Sequence, residues 1–186
     1  MASIIRRRAT FRDEYDGFML GGFPLVEFDR KPIDAFPLRG FALAWNHELT
    51  LIQVLNDDFF RLNGYAVLRN LDVRRWRTFP KDDFRARAVH LQRVHPLSPG
   101  GVRIGSMREA LSSAGAAFPL ITIHRERIKK RVCFVGKFLG ASRRTLTIRE
   151  ISPQAEWEQQ EDYTIRDITL LEFGGEYEKL LSKMAR

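Results

Sequence analysis

The sequence contains a single cysteine, Cys133, among its 186 residues. One thiol cannot form an internal disulfide bond, and it excludes a zinc site built from several cysteines. A low cysteine content is typical of proteins that work in a reducing compartment, so we expect a cytoplasmic protein. Because Cys133 lies in the apolar run 132–135, we expect a buried structural thiol rather than a nucleophile.

Long hydrophobic runs are also missing. The longest one, 114–123, is about half the length of a membrane-spanning helix and is interrupted by a glycine and a proline. The three arginines at 6–8 are not followed by an apolar segment, so the start of the chain lacks the pattern of a signal peptide. The sequence therefore predicts a protein that has no membrane partner.

Short motifs typical of catalytic sites do not occur. The sequence has no nucleotide-binding glycine loop, no nucleophile elbow and no zinc-binding helix. His90 and His95 have no third metal ligand near them, and no spacing connects His124 with Cys133. We therefore predict no catalytic residues, no metal and no cofactor, and an enzyme with a pocket between two halves of the chain remains an alternative.

Positive charge is in excess, with 31 Lys and Arg against 23 Asp and Glu and a formal net charge of +8. Such an excess favours polyanions such as RNA. One cluster surrounds Trp76, and a second fills the segment 125–131 between two predicted strands. The predicted nucleic-acid or anion-binding residues are Arg74, Arg75, Arg77, Arg125, Arg127, Lys129, Lys130 and Arg131. The alternatives are a strand with Trp76 in the core and a solvated hairpin.

The apolar pattern of the first half recurs in the second half. The segment 23–33, FPLVEFDRKPI, matches 118–128, FPLITIHRERI, at an offset of 95 residues. Gly40 and Leu43 recur as Gly136 and Leu139, at an offset of 96. Because self-similarity at a fixed offset is the mark of repeated structural units, we predict a tandem duplication.

Each half has the pattern of five short strands joined by tight turns. A glycine inside a strand, as at Gly40 and Gly136, often marks a bend or a close approach of two backbones. The predicted strands are 25–28, one around Gly40, 49–55, 59–68 and 73–76 in the first half, and 120–123, 132–139, 145–151, 157–165 and 168–173 in the second. We therefore predict a mainly β fold with a few short helices, arranged as two small bent barrels.

Three helices are predicted, at 80–93, 107–114 and 176–184. Ser106 and Glu109 form the pattern of a capping box at the start of the second helix. In the first helix the residues that share one face are Phe84, Ala88 and Leu91, and in the last the residues predicted to point inward are Tyr177, Leu180 and Leu181. The predicted domains are a first barrel at 1–79, a connecting helix and linker at 80–105, and a second barrel at 106–186.

A helix followed by a bent five-stranded unit with a glycine within a strand resembles the Sm-like fold. The matching residues of the second half are Gly136, Lys137, Leu139, Leu146, Thr147 and 165–168, and those of the first half are Gly40, Leu43, Leu49, Thr50 and 67–70. Over residues 20–175 the two halves together are similar to tandem Sm-like proteins of bacteria.

This resemblance implies binding of single-stranded RNA, ring-shaped assemblies and edge strands that pair between subunits. The family has an Asp in the hairpin turn and an Asn just after it, whereas this chain has His47 and Thr50 in one half and Arg143 and Thr147 in the other. An Arg-Gly pair near the end of the unit becomes Arg-Asn at 69–70 and Arg-Asp at 166–167. The typical uridine pocket is therefore not carried over residue by residue.

Two hypotheses about function follow. The first is a non-catalytic binding module that binds single-stranded RNA through its basic loops. The alternative is a module for protein–protein interaction or self-association that uses the edge strands of its barrels.

Overall fold

The computed structural model describes residues 17–186 of the chain. The arginines at 6–8 lie outside the described residues. The described chain has eleven β-strands, three α-helices and two short 3-10 helices, so the prediction of a mainly β protein with few helices is confirmed. In chain order the elements are β1 (Met19–Leu20), β2 (Phe23–Asp29), β3 (Leu38–Trp45), β4 (Leu49–Asn56), β5 (Arg61–Arg69), a 3-10 helix (Asn70–Asp72), β6 (Arg75–Thr78), α1 (Phe84–Leu91), α2 (Met107–Ala117), β7 (Ile121–His124), β8 (Cys133–Ala141), β9 (Thr145–Ile151), β10 (Trp157–Thr164), a second 3-10 helix (Ile165–Asp167), β11 (Leu170–Phe173) and α3 (Glu176–Met184).

The alternation of side chains explains why these segments are strands. In β9, Leu146 and Ile148 are fully buried, and the threonine between them points to the other side of the sheet. In β2, by contrast, both faces are covered, because Leu25 packs in one apolar cluster while Val26 and Phe28 pack in another. The apolar run 23–26 at the start of β2 is typical of a strand buried on both faces, and Glu27, which follows it, is paired with arginines of the neighbouring strands.

All strands belong to one antiparallel sheet. Its order is β1-β2-β3-β4-β5-β11-β7-β8-β9-β10, and β6 pairs with β2 beside β1. The strands of residues 19–78 and those of residues 121–173 therefore do not form two separate sheets. They meet where β5 pairs with β11, with Tyr65 opposite Phe173 and Leu68 opposite Leu170. We call this β5–β11 contact the internal joint.

Both halves have their irregularities at matching places. A β-bulge interrupts the β3–β4 pairing between Ala42 and Ala44, and another interrupts the β8–β9 pairing between Phe138 and Gly140. Each bulge shifts the register by one residue and increases the local bend of the strand. A 3-10 helix follows β5 in the first half and β10 in the second.

Close backbone approach explains the two glycines predicted within strands. A Cβ atom on Gly40 would collide with the carbonyl oxygen of Gln53, and one on Gly136 would collide with that of Arg149. A side chain at either position would force the neighbouring strand away. The sequence-based reading of these glycines is thus confirmed.

The helices pack against the sheet, but α1 and α3 bury faces that differ from the predicted ones. Ser106 caps α2 by accepting a hydrogen bond from the Glu109 amide, and α2 continues past Gly115 to Ala117. In α1 the buried residues are Ala86 and Val89, whereas Phe84 and Leu91, on the face chosen from the sequence, are exposed. In α3, Leu181 is buried in a small cluster with Leu120 and Val135, and the predicted inward residues Tyr177 and Leu180 are about half exposed.

The internal joint leaves no space for a side chain at Gly64. This residue has a left-handed backbone, with φ of +71°, and a Cβ atom there would lie 2.5 Å from the amide nitrogen of Gly175 and 2.8 Å from the carbonyl oxygen of Phe173. Both contacts are with backbone atoms at the end of β11 or just after it. The close approach of the two halves therefore depends on glycine at this position.

We predict that Gly64→Ala destabilises the protein far more than Gly22→Ala. Gly22 also has a positive φ, of +82°, but nothing lies within 4 Å of its added Cβ atom, so its substitution costs only about 1 kcal/mol of backbone strain. At Gly64 the backbone collision adds about 1–3 kcal/mol. Urea denaturation measures both free energies of unfolding, and equal losses for the two variants would contradict this account of the joint.

Candidate nucleic-acid interface

Three of the eight cations predicted to bind an anion are held by other groups of the chain. The Arg77 guanidinium donates hydrogen bonds to Glu27 at 2.7 and 3.1 Å. Burial works to raise the pKa of Glu27, but hydrogen bonds from Arg77 and Arg39 outweigh it and lower the pKa. Arg125 lies 3.9 Å from an Asp167 oxygen, and Arg127 donates a hydrogen bond to the Asp72 carboxylate. These three arginines are already paired with carboxylates of the protein, so they contribute to the fold more than to the binding of a ligand.

The contact between Arg127 and Asp72 brings the two basic segments together. Asp72 belongs to the 3-10 helix just before Arg74, and Arg127 belongs to the loop between β7 and β8 of the other half. Burial raises the pKa of Asp72, which the attraction of Arg127 only partly offsets. Sequence alone contains no signal that places 74–77 near 125–131, and in the structure this ion pair connects the two segments.

The remaining cations differ in their surroundings. Lys129 lies over the Phe134 ring, with its nitrogen 5.6 Å from the ring centre. Arg74 and Arg75 are exposed beside Trp76, whose indole is buried in the core as the alternative reading of this cluster had it. Lys130 and Arg131, both exposed, line a cavity.

This cavity, which we call the junction cleft, lies between the two halves and has a volume of about 550 Å³. One wall is the segment 32–36 between β2 and β3, and the other comes from β7, β8 and the loop that connects them. Phe36 lies in the first wall with 73% of its surface exposed. The residues of the second wall are His124, Glu126, Lys130, Arg131, Val132 and Cys133.

A buried ion pair fixes the two walls. Arg30, whose side chain is fully buried at the end of β2, donates to both carboxylate oxygens of Glu126 in the β7–β8 loop, with a distance of 3.1 Å to one of them. The Thr169 hydroxyl donates to the same carboxylate at 2.6 Å. The buried charges of Arg30 and Glu126 need each other and the Thr169 hydroxyl, because either charge alone would be buried without compensation.

The Cys133 thiol has surroundings that sequence reasoning missed. Cys133 is exposed in the cleft, so the expectation of a buried structural thiol is wrong. It lies directly opposite His124 in the β7–β8 pairing, and His124 contacts the Glu172 carboxylate at 2.6 Å. Partial burial of the sulfur, together with the charge of Glu172, raises the pKa of the thiol. A raised pKa keeps the thiol protonated at neutral pH and lowers its reactivity.

Residues 17–186 contain no candidate metal site and no candidate membrane-spanning helix. In this range no three His, Cys, Asp or Glu side chains are grouped so that they could hold a metal ion. No helix there is long and apolar enough to cross a membrane. No family model, curated protein or solved structure matches the chain.

We predict that Glu126→Ala lowers the free energy of unfolding by about 3–5 kcal/mol, because it leaves the Arg30 charge buried without a partner. The double variant Arg30→Met with Glu126→Met removes both charges and should recover most of that loss. Arg103→Ala is the matched control, since it breaks the more exposed pair with Glu109 and should cost at most about 1 kcal/mol. If urea denaturation gives Glu126→Ala the same small loss of unfolding free energy as Arg103→Ala, this role of the ion pair is contradicted.

Proposed function

We propose that the protein binds single-stranded RNA in the junction cleft, as a module without catalytic activity. The observation that carries this proposal is the exposed Phe36 ring on one wall, across the cleft from Lys130 and Arg131 on the other. Proteins that bind single strands combine aromatic side chains, on which bases stack, with cations that contact the phosphates. A base against Phe36 and phosphates along 130–131 would use both walls.

The charge of the whole protein supports the same ligand. A net charge of +8 attracts polyanions and speeds their approach. Lys130 and Arg131 suit phosphate contacts better than Arg127 does, because Arg127 is already paired with Asp72. Arg74 and Arg75 lie on the neighbouring segment and extend the basic surface beyond the cleft. The protonated thiol of Cys133 fits a site for binding rather than nucleophilic chemistry.

We also propose that the two halves are copies of one Sm-like unit. The matching bulges in β3–β4 and β8–β9 support a common origin, as do the 3-10 helices after β5 and β10. In this proposal the ligand lies where the two copies meet rather than at the β8–β9 turn, where Arg143 replaces the usual acidic residue of the family. The single cysteine remains the support for a cytoplasmic location.

We predict that Lys130→Ala with Arg131→Ala weakens RNA binding and reduces its dependence on salt. Loss of two phosphate contacts should lower the slope of log affinity against log salt by about 1.4 for a single strand. Fluorescence polarisation with a labelled polyuridylate, measured over a salt series, gives both quantities. The control is Arg143→Ala with Arg144→Ala, which removes two exposed cations from the β8–β9 turn outside the cleft. Equal effects of the two double variants would refute the cleft as the site.

We further predict that Phe36→Ala weakens binding of the same RNA about 5- to 150-fold, which corresponds to the loss of one stacked base. The salt slope should stay at the wild-type value, because no phosphate contact is lost. Phe36→Tyr, which keeps an aromatic ring, should bind as the wild type does. If Phe36→Ala binds polyuridylate normally, the ring has no part in recognition.

A further inference from the structure

Helix α1 carries apolar side chains on two opposite sides. Ala86 and Val89 are fully buried, whereas Phe84 and Leu91 on the other side are 68% and 79% exposed. Ala88, which is partly exposed, lies between these two and completes one stripe, because residues three and four positions apart share a helix face. Apolar residues on both sides are typical of a helix that is covered on both sides.

An aromatic turn extends this apolar stripe. The Phe60 ring, in the turn between β4 and β5, packs edge-on against the Phe84 ring, with 5.4 Å between the ring centres. Phe59 belongs to the same turn and has 66% of its surface exposed. Single exposed apolar side chains are ordinary on a protein surface, but a contiguous group of them marks a site of interaction. We call the exposed side of Phe84, Ala88 and Leu91 the α1 face.

Charge is distributed unevenly along α1. Asp82 lies exposed just before the helix, and Asp83 caps its first turn by accepting a hydrogen bond from the Arg85 amide at 2.8 Å. Arg93 lies exposed just beyond the last turn, which contains His90. The helix therefore begins beside acidic groups and ends beside basic ones, an order that complements its own macrodipole. A second helix of the same sequence presents opposite charge at each end when it runs antiparallel to the first.

We propose that the α1 face packs against the α1 face of a second copy of this chain, with the two helices antiparallel about a two-fold axis. An axis that passes between Arg87 and Ala88 places Phe84 of one copy opposite Leu91 of the other. The same axis places Asp82 opposite Arg93. Each of these contacts then occurs twice, because a two-fold interface joins the same patch of both subunits. Ala88 lies next to the axis, where its small side chain lets the helices approach closely.

A second copy fits this face better than an unrelated partner, because the face is complementary to itself. Large apolar side chains stand at both ends of the stripe with a small one between them, and the flanking charges are acidic at one end and basic at the other. In the dimer Arg87, at the border of the face, keeps its guanidinium in water. The contact occupies the same face of both copies, so assembly through it stops at two.

The α1 face is separate from the proposed RNA site. The junction cleft is lined by the segment 32–36 and by residues of β7, β8 and their connecting loop, and α1 contributes none of its lining. The inference therefore goes beyond the proposed function, and binding of RNA neither supports nor weakens it.

Sedimentation measures this association directly. Analytical ultracentrifugation of the full chain should show a monomer of 21.6 kDa that converts to a species of twice that mass as the concentration rises. Leu91→Glu should remain monomeric over the same range, because it places a charge in an apolar contact. The matched control is Leu180→Glu, which changes a leucine of α3 that is 56% exposed and should dimerise as the wild type does. A wild type that stays monomeric, or two glutamate variants that associate equally, would overturn the proposal.

Exchange of charges tests the antiparallel arrangement. Asp82→Arg places like charges opposite each other at both ends of the contact, so we expect the dissociation constant of the dimer to rise about tenfold. The double variant Asp82→Arg with Arg93→Asp restores opposite charges and should dimerise with the wild-type constant. Equal dissociation constants for the single and the double variant would reject the antiparallel pairing.

Disulfide cross-linking locates the two-fold axis. In a Cys133→Ser background, oxidation of Ala88→Cys should give a covalent dimer, because this residue lies beside its own copy across the axis. The control is Gln92→Cys, which is also exposed. Its two copies would lie about 13 Å apart along the helices, which is too far for a disulfide bond. Equal cross-linking of the two variants, or none for Ala88→Cys, would reject this arrangement.

Discussion

The pairing of β5 with β11 is the contact on which the rest of the molecule depends. It joins strands from both halves into one sheet, and its closest approach is the backbone contact between Gly64 and Gly175. A strand at the end of each half would otherwise be left with unsatisfied backbone groups. With that pairing formed, the end of β2 faces the β7–β8 loop of the other half, and Arg30 can reach Glu126. The walls of the cleft are thus set by a contact that lies outside the cleft.

Charge is used for two purposes along this boundary. Arg30 and Arg127 each cross from one half to the other and are bound to carboxylates there, so they hold the fold. Lys130 and Arg131 stand exposed a few residues away and remain open to a ligand. The contacts of each side chain distinguish the paired arginines from the exposed cations, whereas a count of basic residues treats them alike. An excess of positive charge in a sequence therefore overstates the surface that an anion can use.

Sequence patterns predicted the strands well and the meeting of the halves poorly. Alternation in β9 and the apolar run of β2 depend on neighbours within a few residues, so they are visible in the chain. The internal joint brings together residues more than a hundred positions apart, and nothing local marks β5 and β11 as partners. Phe36 lies in an irregular segment without a periodic pattern, so no signal pointed to it. The helix faces were misread because apolar residues such as Phe84 remain exposed in the structure.

The segment between α1 and α2 has a further consequence. It contains no helix or strand, yet it is tied to the sheet by hydrogen bonds from the Leu97 amide to Gln53 at 2.8 Å and from the Asn46 side chain to the Ile104 carbonyl. The two halves are held by strand pairing and by ion pairs, so a protease cut in this segment would leave a nicked protein whose fragments stay associated. The covalent connection mainly raises the effective concentration of one half near the other while the chain folds. The same property makes this segment a natural place to divide the chain into two pieces that reassemble when produced separately.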